Sequence, residues 1–442
     1  MGASHNDDVN GCRHCGDVLT RYRSRVTSPA LHRRLGLGDA VFIGLGSMIG
    51  AGVFAVWAPA AGAAGTGLLI GLAIAAVVAF GNATSSAQLA AAHPTSGGTY
   101  AYGRVELGPW WGFVAGWGFV VGKTASCAAM ALTFAAYAAP AGWERPVALL
   151  AVAGLTLVNW FGITRTAFLA RVIVVAVLLV LAVAVVASAT AGDPSRLSGG
   201  DAPGIGGPYG VLQSAGLLFF AFAGYARIAT MGEEVRDPQR LIPRAIVTAF
   251  VIALAVYAVV GVSVLSALGA DATAVSAEPV ADAAAASGWA WVDPVVRVGA
   301  AAASLGALLA LIAGVSRTMF AMARESDLPP ALAVVHPRWH VPHRAELVVA
   351  AAVLMLVAFV DLRGAIGFSS FGVLLYYLVA NIAALRQRGD ARRYPRVLAV
   401  IGAIGCVLLA VTLPWQAVVA GAVVVAVGVS YRALRLRFTR AA

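Results

Sequence analysis

The sequence predicts an all-α protein that crosses a membrane twelve times. Of its 442 residues, 60% are hydrophobic and only 12% are charged, whereas a soluble domain carries about 25% charged residues. The chain divides into apolar runs of about 20 residues, the length that a helix needs to cross the hydrocarbon core of a bilayer. Its 49 glycines are also typical of membrane helices, which use glycine for close packing and for breaks.

Twelve apolar runs are predicted to span the membrane. They cover residues 38–61, 66–91, 110–139, 146–162, 167–191, 210–233, 244–268, 292–322, 345–360, 364–385, 395–411 and 413–434. We predict a cytoplasmic, disordered tail over 1–36, a core of ten helices over 37–394, and two further helices with a cytoplasmic C-terminus over 395–442. No soluble domain is left over, and no secretory signal is expected because residues 1–35 are polar and basic.

The distribution of arginine predicts the orientation. Arginines on the side predicted to be cytoplasmic lie at 13–34, 165–171, 236–244, 324–344, 386–396 and 432–440. The predicted loops on the opposite side hold only Arg145, Arg196 and Arg363. Because loops rich in basic residues remain in the cytoplasm, both termini are predicted to lie on the cytoplasmic side of the inner membrane.

Other classes of protein fit the sequence less well. The net charge of +11 does not indicate nucleic-acid binding, because the basic residues lie in short loops between spans. An intramembrane enzyme needs catalytic or metal-binding groups at depth, and Asp and Glu lie almost entirely at span ends. A single C-x-x-C at Cys12 and Cys15 is a weak metal signal in a polar tail. We therefore expect no metal, no cofactor and no catalysis.

Two spans contain glycines that favour interruption of the helix. The first holds four glycines within residues 44–52, and the sixth holds Gly224 and Gly232. Each interior glycine costs about 1 kcal/mol relative to alanine. One interpretation is close packing of helices. We favour the other, paired breaks at a binding site near the midplane, because the two spans are five helices apart.

Three stretches resemble the amino acid–polyamine–organocation transporters. They are GSMIGAGVF at 46–54, FFAFAGYARIATMGEEVRDPQRLIPRAI at 219–246, and SRTMFAMARESDLPPAL at 316–332. The resemblance implies a LeuT-like fold, in which two inverted repeats of five helices carry broken helices 1 and 6. It also implies alternating access around spans 1, 3, 6 and 8, with an amino acid as the substrate.

The same resemblance implies which residues bind the substrate. Amides of the first break would hold its carboxylate, at Met48, Ile49, Gly50, Ala51 and Gly52. In the sixth span, carbonyls at Phe220, Ala223 and Gly224 would hold the ammonium, with Phe220 also an aromatic gate and Tyr225 next in sequence. Two positions depart from many relatives. Ala51 replaces a serine, and Ala226 replaces an acid, which weakens the case for a cationic substrate.

Lys123 is the single lysine of a chain with 31 basic residues. It lies near the middle of the third span, where a charged side chain costs about 2.5–3.5 kcal/mol. A buried lysine can release its proton, whereas arginine keeps its charge. We interpret Lys123 as a pocket residue and a candidate proton carrier. The alternatives are a counter-charge to a buried carboxylate, or a lysine that snorkels to the interface.

Charged residues beside the second break are further candidates for a pocket or a gate. Arg227 follows Gly224 by three positions and is either a charge in the pocket or part of a fixed ion pair. Glu233 and Glu234 lie at the cytoplasmic end, as interfacial anchors or as part of an inner gate. If Lys123 and Arg227 face one pocket, its positive charge disfavours polyamines and cationic amino acids.

The predicted function is secondary active transport of neutral amino acids, coupled to protons. Two alternatives stay open: an exchanger of amino acids or metabolites, and a permease for polyamines or organic amines. The expected partners are the amino acid, the lipid bilayer and protons, and no nucleic acid. The sequence does not predict an oligomeric state.

Overall fold

A computed structural model describes residues 33–95, 97–161, 167–198 and 207–441 of the chain. Within these ranges the fold is helical and contains no strand, with one isolated bridge between Leu35 and Val235. The predicted tail, including Cys12 and Cys15, lies outside the described residues apart from 33–36. The helical prediction is therefore confirmed for the described part of the chain.

Eighteen α-helices make up the described fold. They are α1 Leu37–Met48, α2 Gly52–Ala55, α3 Trp57–Ala64, α4 Leu68–Ala92, α5 Gly98–Glu106, α6 Pro109–Ala138, α7 Glu144–Trp160, α8 Ala167–Thr190, α9 Ser195–Ser198, α10 Gly207–Phe222, α11 Ala226–Ala229, α12 Pro238–Val275, α13 Pro279–Ala285, α14 Val292–Arg324, α15 His343–Phe359, α16 Leu362–Arg386, α17 Arg396–Thr412 and α18 Trp415–Ala441. Short 3₁₀ turns lie at Gly65–Gly67, Ala223–Tyr225, Pro330–Ala333 and Gly389–Ala391.

Nine stretches of the described helices are long and apolar enough to cross a membrane. Ten of the twelve predicted spans each coincide with one helix. The helices of the fourth, ninth and eleventh spans, α7, α15 and α17, have only 17 residues. At 1.5 Å per residue such a helix is about 26 Å long, slightly shorter than the hydrocarbon core. The chain is a multi-pass membrane protein, and the count of twelve crossings stays a prediction.

The first predicted span is not one continuous helix. α1 ends at Met48, and helical structure resumes at Gly52. Among the described residues, no backbone hydrogen bond is donated by Gly50, Ala51 or Gly52. The interruption thus leaves amide groups of the first span without a helical acceptor, as the cluster of glycines predicts.

The sixth predicted span is interrupted as well. α10 ends at Phe222, a 3₁₀ turn covers Ala223–Tyr225, and the four-residue α11 follows. A 3₁₀ segment inside a helix changes the direction of the backbone carbonyls and exposes them to new donors. Both predicted breaks are therefore present, at the predicted glycines.

Three long helices pack against the broken ones. α6 packs along α16 and α14, and Lys123 lies at its middle. Glycines permit the close approach of α6 and α16: a Cβ on Gly122 would lie 3.0 Å from the Ser369 carbonyl oxygen, and one on Gly372 would lie 2.7 Å from that of Gly118. This tight pair fixes the position of Lys123 relative to the breaks.

Candidate functional site

The two interrupted segments lie against each other. A Cβ added to Gly224 would lie 2.3 Å from the carbonyl oxygen of Ser47, and one added to Gly52 would lie 2.9 Å from the Cα of Ala221. Any larger residue at Gly224 would collide with backbone. Glycine is required here because the backbone of one broken helix touches the backbone of the other.

Tyr257 of α12 connects the breaks by its hydroxyl. The oxygen lies 2.7 Å from the carbonyl oxygen of Met48 and 2.9 Å from that of Ala221. Since a phenol has one hydrogen, it donates to one of these carbonyls at a time. Tyr257 is fully buried, so its hydroxyl gives these buried carbonyl oxygens a hydrogen-bond donor where solvent does not reach.

Lys123 reaches the break in the sixth span. Its Nζ donates a hydrogen bond to the carbonyl oxygen of Ala223 over 3.1 Å. The hydroxyl of Tyr377 donates to the same oxygen over 3.2 Å. Lys123 is only 7% exposed, and it takes part in none of the ion pairs found among the described residues. Among the described residues, its hydrogen-bond partner is therefore a backbone carbonyl rather than a carboxylate.

This geometry argues against the two alternative interpretations of Lys123, while its roles as a pocket residue and a proton carrier stay predictions. A snorkelling lysine would be exposed at the interface, and a counter-charge would contact an acid. The observed ammonium does neither within the described part of the chain. It instead donates to the carbonyl oxygen of Ala223, within the interruption of the sixth span.

Aromatic residues cluster near the carbonyl oxygen of Ala223. The rings of Tyr225 and Tyr377 have centroids 5.0 Å apart, and those of Phe219 and Tyr377 are 5.9 Å apart. Phe220, the predicted gate, is 7% exposed. Sequence reasoning included Phe220 and Tyr225 but missed Tyr257 and Tyr377. A tyrosine within an apolar span is the signal that would have found both, because a buried hydroxyl usually has a partner.

The eighth predicted span contributes to the first break. A Cβ on Gly50 would lie 2.7 Å from the Cβ of Ala307 and 3.7 Å from the carbonyl oxygen of Ala303. Nearby Ser304 is fully buried, and its hydroxyl has no partner among the described residues. Segments of spans 1, 3, 6 and 8 thus meet around the two interruptions.

The charged candidates beside the second break form no described contact with Lys123. Arg227 is exposed and contacts the hydroxyl of Thr230 over 3.5 Å. It also interacts electrostatically with Glu234 and with Arg317 of α14. No described hydrogen bond or ion pair joins it to Lys123, and Glu233 and Glu234 are half-buried beyond α11. Arg317 was missed, although an arginine within the predicted eighth span is itself a signal.

Comparison with known proteins identifies the family of this chain. The model for the family described as amino acid permease matches residues 39–436. An uncharacterized transporter of Mycobacterium tuberculosis is 59% identical over 414 residues, which cover 93% of each chain. More distant relatives have named substrates.

The branched-chain amino acid permease BcaP of Bacillus subtilis is 25% identical over 421 residues, covering 88% of this chain and 90% of that protein. The cationic amino acid transporter 7, chloroplastic, of Arabidopsis thaliana is 27% identical over 398 residues, covering 84% of this chain and 68% of that protein. The match of the family model over nearly all of the chain agrees with the motifs and with the paired interruptions. The chain belongs to the amino acid permease family of the amino acid–polyamine–organocation superfamily.

Proposed function

We propose that this protein carries neutral amino acids across the cytoplasmic membrane by alternating access, and that transport is coupled to protons. The observation that carries the proposal is the hydrogen bond from the Lys123 ammonium to the Ala223 carbonyl oxygen. It identifies a carbonyl at the second break that is oriented toward an amine. The amides of Gly50, Ala51 and Gly52 at the first break offer donors for a carboxylate. A zwitterionic amino acid carries both groups.

The charges around the breaks favour a neutral substrate. The names of the more distant relatives divide between branched-chain and cationic amino acids, so the family by itself leaves the substrate open. In this chain, Lys123 is a buried cation at the break, and Arg227 and Arg317 add positive charge on the cytoplasmic side. Before Lys123 releases its proton, a second cation on an approaching substrate would be repelled in a medium of low dielectric constant. The same repulsion disfavours polyamines and organic amines.

Lys123 is the group that we assign to proton coupling. A substrate ammonium that binds the Ala223 carbonyl competes with the ammonium of Lys123 for that oxygen. Lysine can respond by releasing its proton, which arginine effectively cannot do. The absence of a carboxylate partner for Lys123 among the described residues lowers the cost of that release. Binding of the substrate is thereby linked to the protonation of one side chain.

The proposed topology places both termini in the cytoplasm, with twelve crossings and two inverted repeats of five helices. The arginine clusters support this orientation. The two interruptions support the repeat, because they fall five predicted spans apart and meet in space. In such transporters, alternating access is largely a movement of one bundle against the other around a fixed central site.

The decisive experiment is uptake into proteoliposomes of a labelled pool of amino acids, with and without an inwardly directed proton gradient. Saturable uptake of neutral amino acids that changes with the gradient supports the proposal. Uptake only into vesicles preloaded with amino acid supports the exchanger instead. Preference for polyamines or cationic amino acids would contradict the proposed substrate, and a complete lack of amino acid transport would refute the function.

A further inference from the structure

Arg432 is a buried arginine in a helix that is otherwise largely exposed. It lies near the cytoplasmic end of α18, and only 6% of its surface is accessible. Its guanidinium lies over the ring of Trp110, 5.1 Å from the centroid, and over that of Phe113, 4.8 Å from the centroid. Both rings belong to the start of α6, the helix that carries Lys123. α18 is thus connected to this helix by a charged side chain.

Asp327 is the ionic partner of Arg432. This carboxylate, 4% exposed, lies just after α14 and forms an ion pair with Arg432. Its second oxygen accepts hydrogen bonds from Arg104 Nη1 and from the Tyr100 hydroxyl, each over 2.8 Å. Glu325 adds a second acid, 3.3 Å from Arg104. The negative charges of these two acids therefore balance the positive charges of the two arginines.

Arg104 and Tyr100 belong to α5, the short helix before α6. α5 in turn contacts the end of the interrupted sixth span, because the Tyr102 hydroxyl donates to the Ala229 carbonyl oxygen over 2.8 Å. On its other side, the backbone N–H of Thr99 donates to the Tyr376 hydroxyl of α16 over 3.0 Å. α5 therefore lies between a continuous helix and the short cytoplasmic segment α11.

These contacts form a continuous path from α18 to α11. Arg432 forms an ion pair with Asp327, and Asp327 forms a second one with Arg104 on α5. Tyr102, also on α5, donates a hydrogen bond to the Ala229 carbonyl oxygen. Burying an arginine in a membrane protein is costly, and an apolar side chain would pack at least as well against the two rings. These costs favour a role for the cluster in setting geometry rather than in adding stability, and its contacts end at a segment that moves in the proposed alternating access.

We propose that Arg432 is a positioning residue for transport. By holding Asp327, it fixes α5 against Ala229 and so sets how fast the cytoplasmic segment of the sixth span changes position. Arg432 does not touch the substrate, so it controls turnover and leaves substrate affinity unchanged. This inference rests on the proposed function, because it concerns the rate of the proposed transport cycle.

The test compares Arg432→Ala and Arg432→Lys with Arg437→Ala as a control. Arg437 is exposed on the same helix. In Arg432→Ala, Asp327 keeps its pair with Arg104, so a folded protein is expected. The labelled amino acid with the highest wild-type uptake serves for two measurements, equilibrium binding in detergent and initial uptake rates in proteoliposomes. Dividing the maximal rate by the number of binding sites removes any difference in the amount of folded protein.

We expect Arg432→Ala to lower turnover per binding site by about tenfold while Kd stays within about twofold. Arg432→Lys should restore part of the rate, and Arg437→Ala should match the wild type. Unchanged turnover per site in Arg432→Ala overturns the inference. This includes the case in which total uptake falls only in proportion to the number of binding sites. If Arg432→Ala does not fold, Asp327→Asn, which removes the charge and keeps the shape, is measured in the same way. A wild type that neither binds nor transports amino acids would instead refute the proposed function.

Discussion

The ammonium of Lys123 lies 3.1 Å from the carbonyl oxygen of Ala223, within hydrogen-bonding distance of the second helix break. A buried lysine without an acidic partner among the described residues is costly in a membrane. The contact puts this charge at the atom that we propose as the partner of a substrate ammonium. Two of the predictions below follow from this single relationship.

Replacing Lys123 should separate transport from the proton gradient. Lys123→Gln keeps an N–H donor, on a side chain one bond shorter, but no longer exchanges a proton, so we expect uptake that is independent of the gradient. Lys123→Arg is the matched control for charge, since arginine keeps its proton. It should lose transport by about tenfold or more, because the cation no longer leaves the carbonyl. Uptake with and without a proton gradient checks both, and an unchanged gradient dependence in Lys123→Gln refutes the assignment.

Removing the positive charge should also widen the substrate range. We expect cationic amino acids to compete poorly for uptake by the wild type, and to compete measurably in Lys123→Gln and in Lys123→Glu. The physical reason is the loss of like-charge repulsion at the break. Inhibition of labelled neutral amino acid uptake by lysine or arginine is the measurement. Equal inhibition of wild type and variants would show that another residue sets the charge preference.

Substitution at Gly224 should disrupt the contact between the breaks. The new Cβ of Gly224→Ala would lie 2.3 Å from the Ser47 carbonyl oxygen, and overpacking of this kind costs about 1–3 kcal/mol. We expect a lower thermal stability in detergent and a loss of substrate binding. Gly154→Ala is the control, because a Cβ at this position in α7 meets nothing within 4 Å. Normal binding by Gly224→Ala would mean that the segments separate without loss of the site.

The pair formed by His93 and Glu106 predicts a pH dependence of stability. Their side chains are 2.7 Å apart outside the predicted spans, and Gln387 also donates to Glu106 over 2.8 Å. Burial raises the pKa of Glu106, but the hydrogen bonds from His93 and Gln387 outweigh it and lower the pKa below 4.5. Because the folded-state pKa is lowered, this contribution is complete at neutral pH and is lost as the pH falls through that pKa.

Glu106→Gln tests this sign. We expect the variant to melt at a lower temperature than the wild type at neutral pH, and the difference to shrink in acid. Melting in detergent across a range of pH is the measurement. A difference that persists unchanged as the pH falls well below 4.5 would show that the charge of Glu106 does not contribute.

The sequence by itself determined the membrane class, the helical fold and the two interruptions. Composition and the length of the apolar runs dictate burial in a bilayer, where each helix satisfies its own backbone. The clusters of glycine near 50 and 224 mark the breaks because glycine weakens a helix locally, whatever surrounds it. The unusual position of Lys123 is likewise visible in the sequence, since it is the one lysine of the chain.

Only the tertiary structure decided which groups meet. It joins Lys123 to Ala223, Tyr257 to both breaks, and Arg432 to Asp327 across 105 positions of sequence. Helical periodicity defines a face of one helix, but it does not define the neighbour that this face meets. The register and rotation of packed helices depend on the fit of side chains along their whole length, and this fit exists only in the assembled fold.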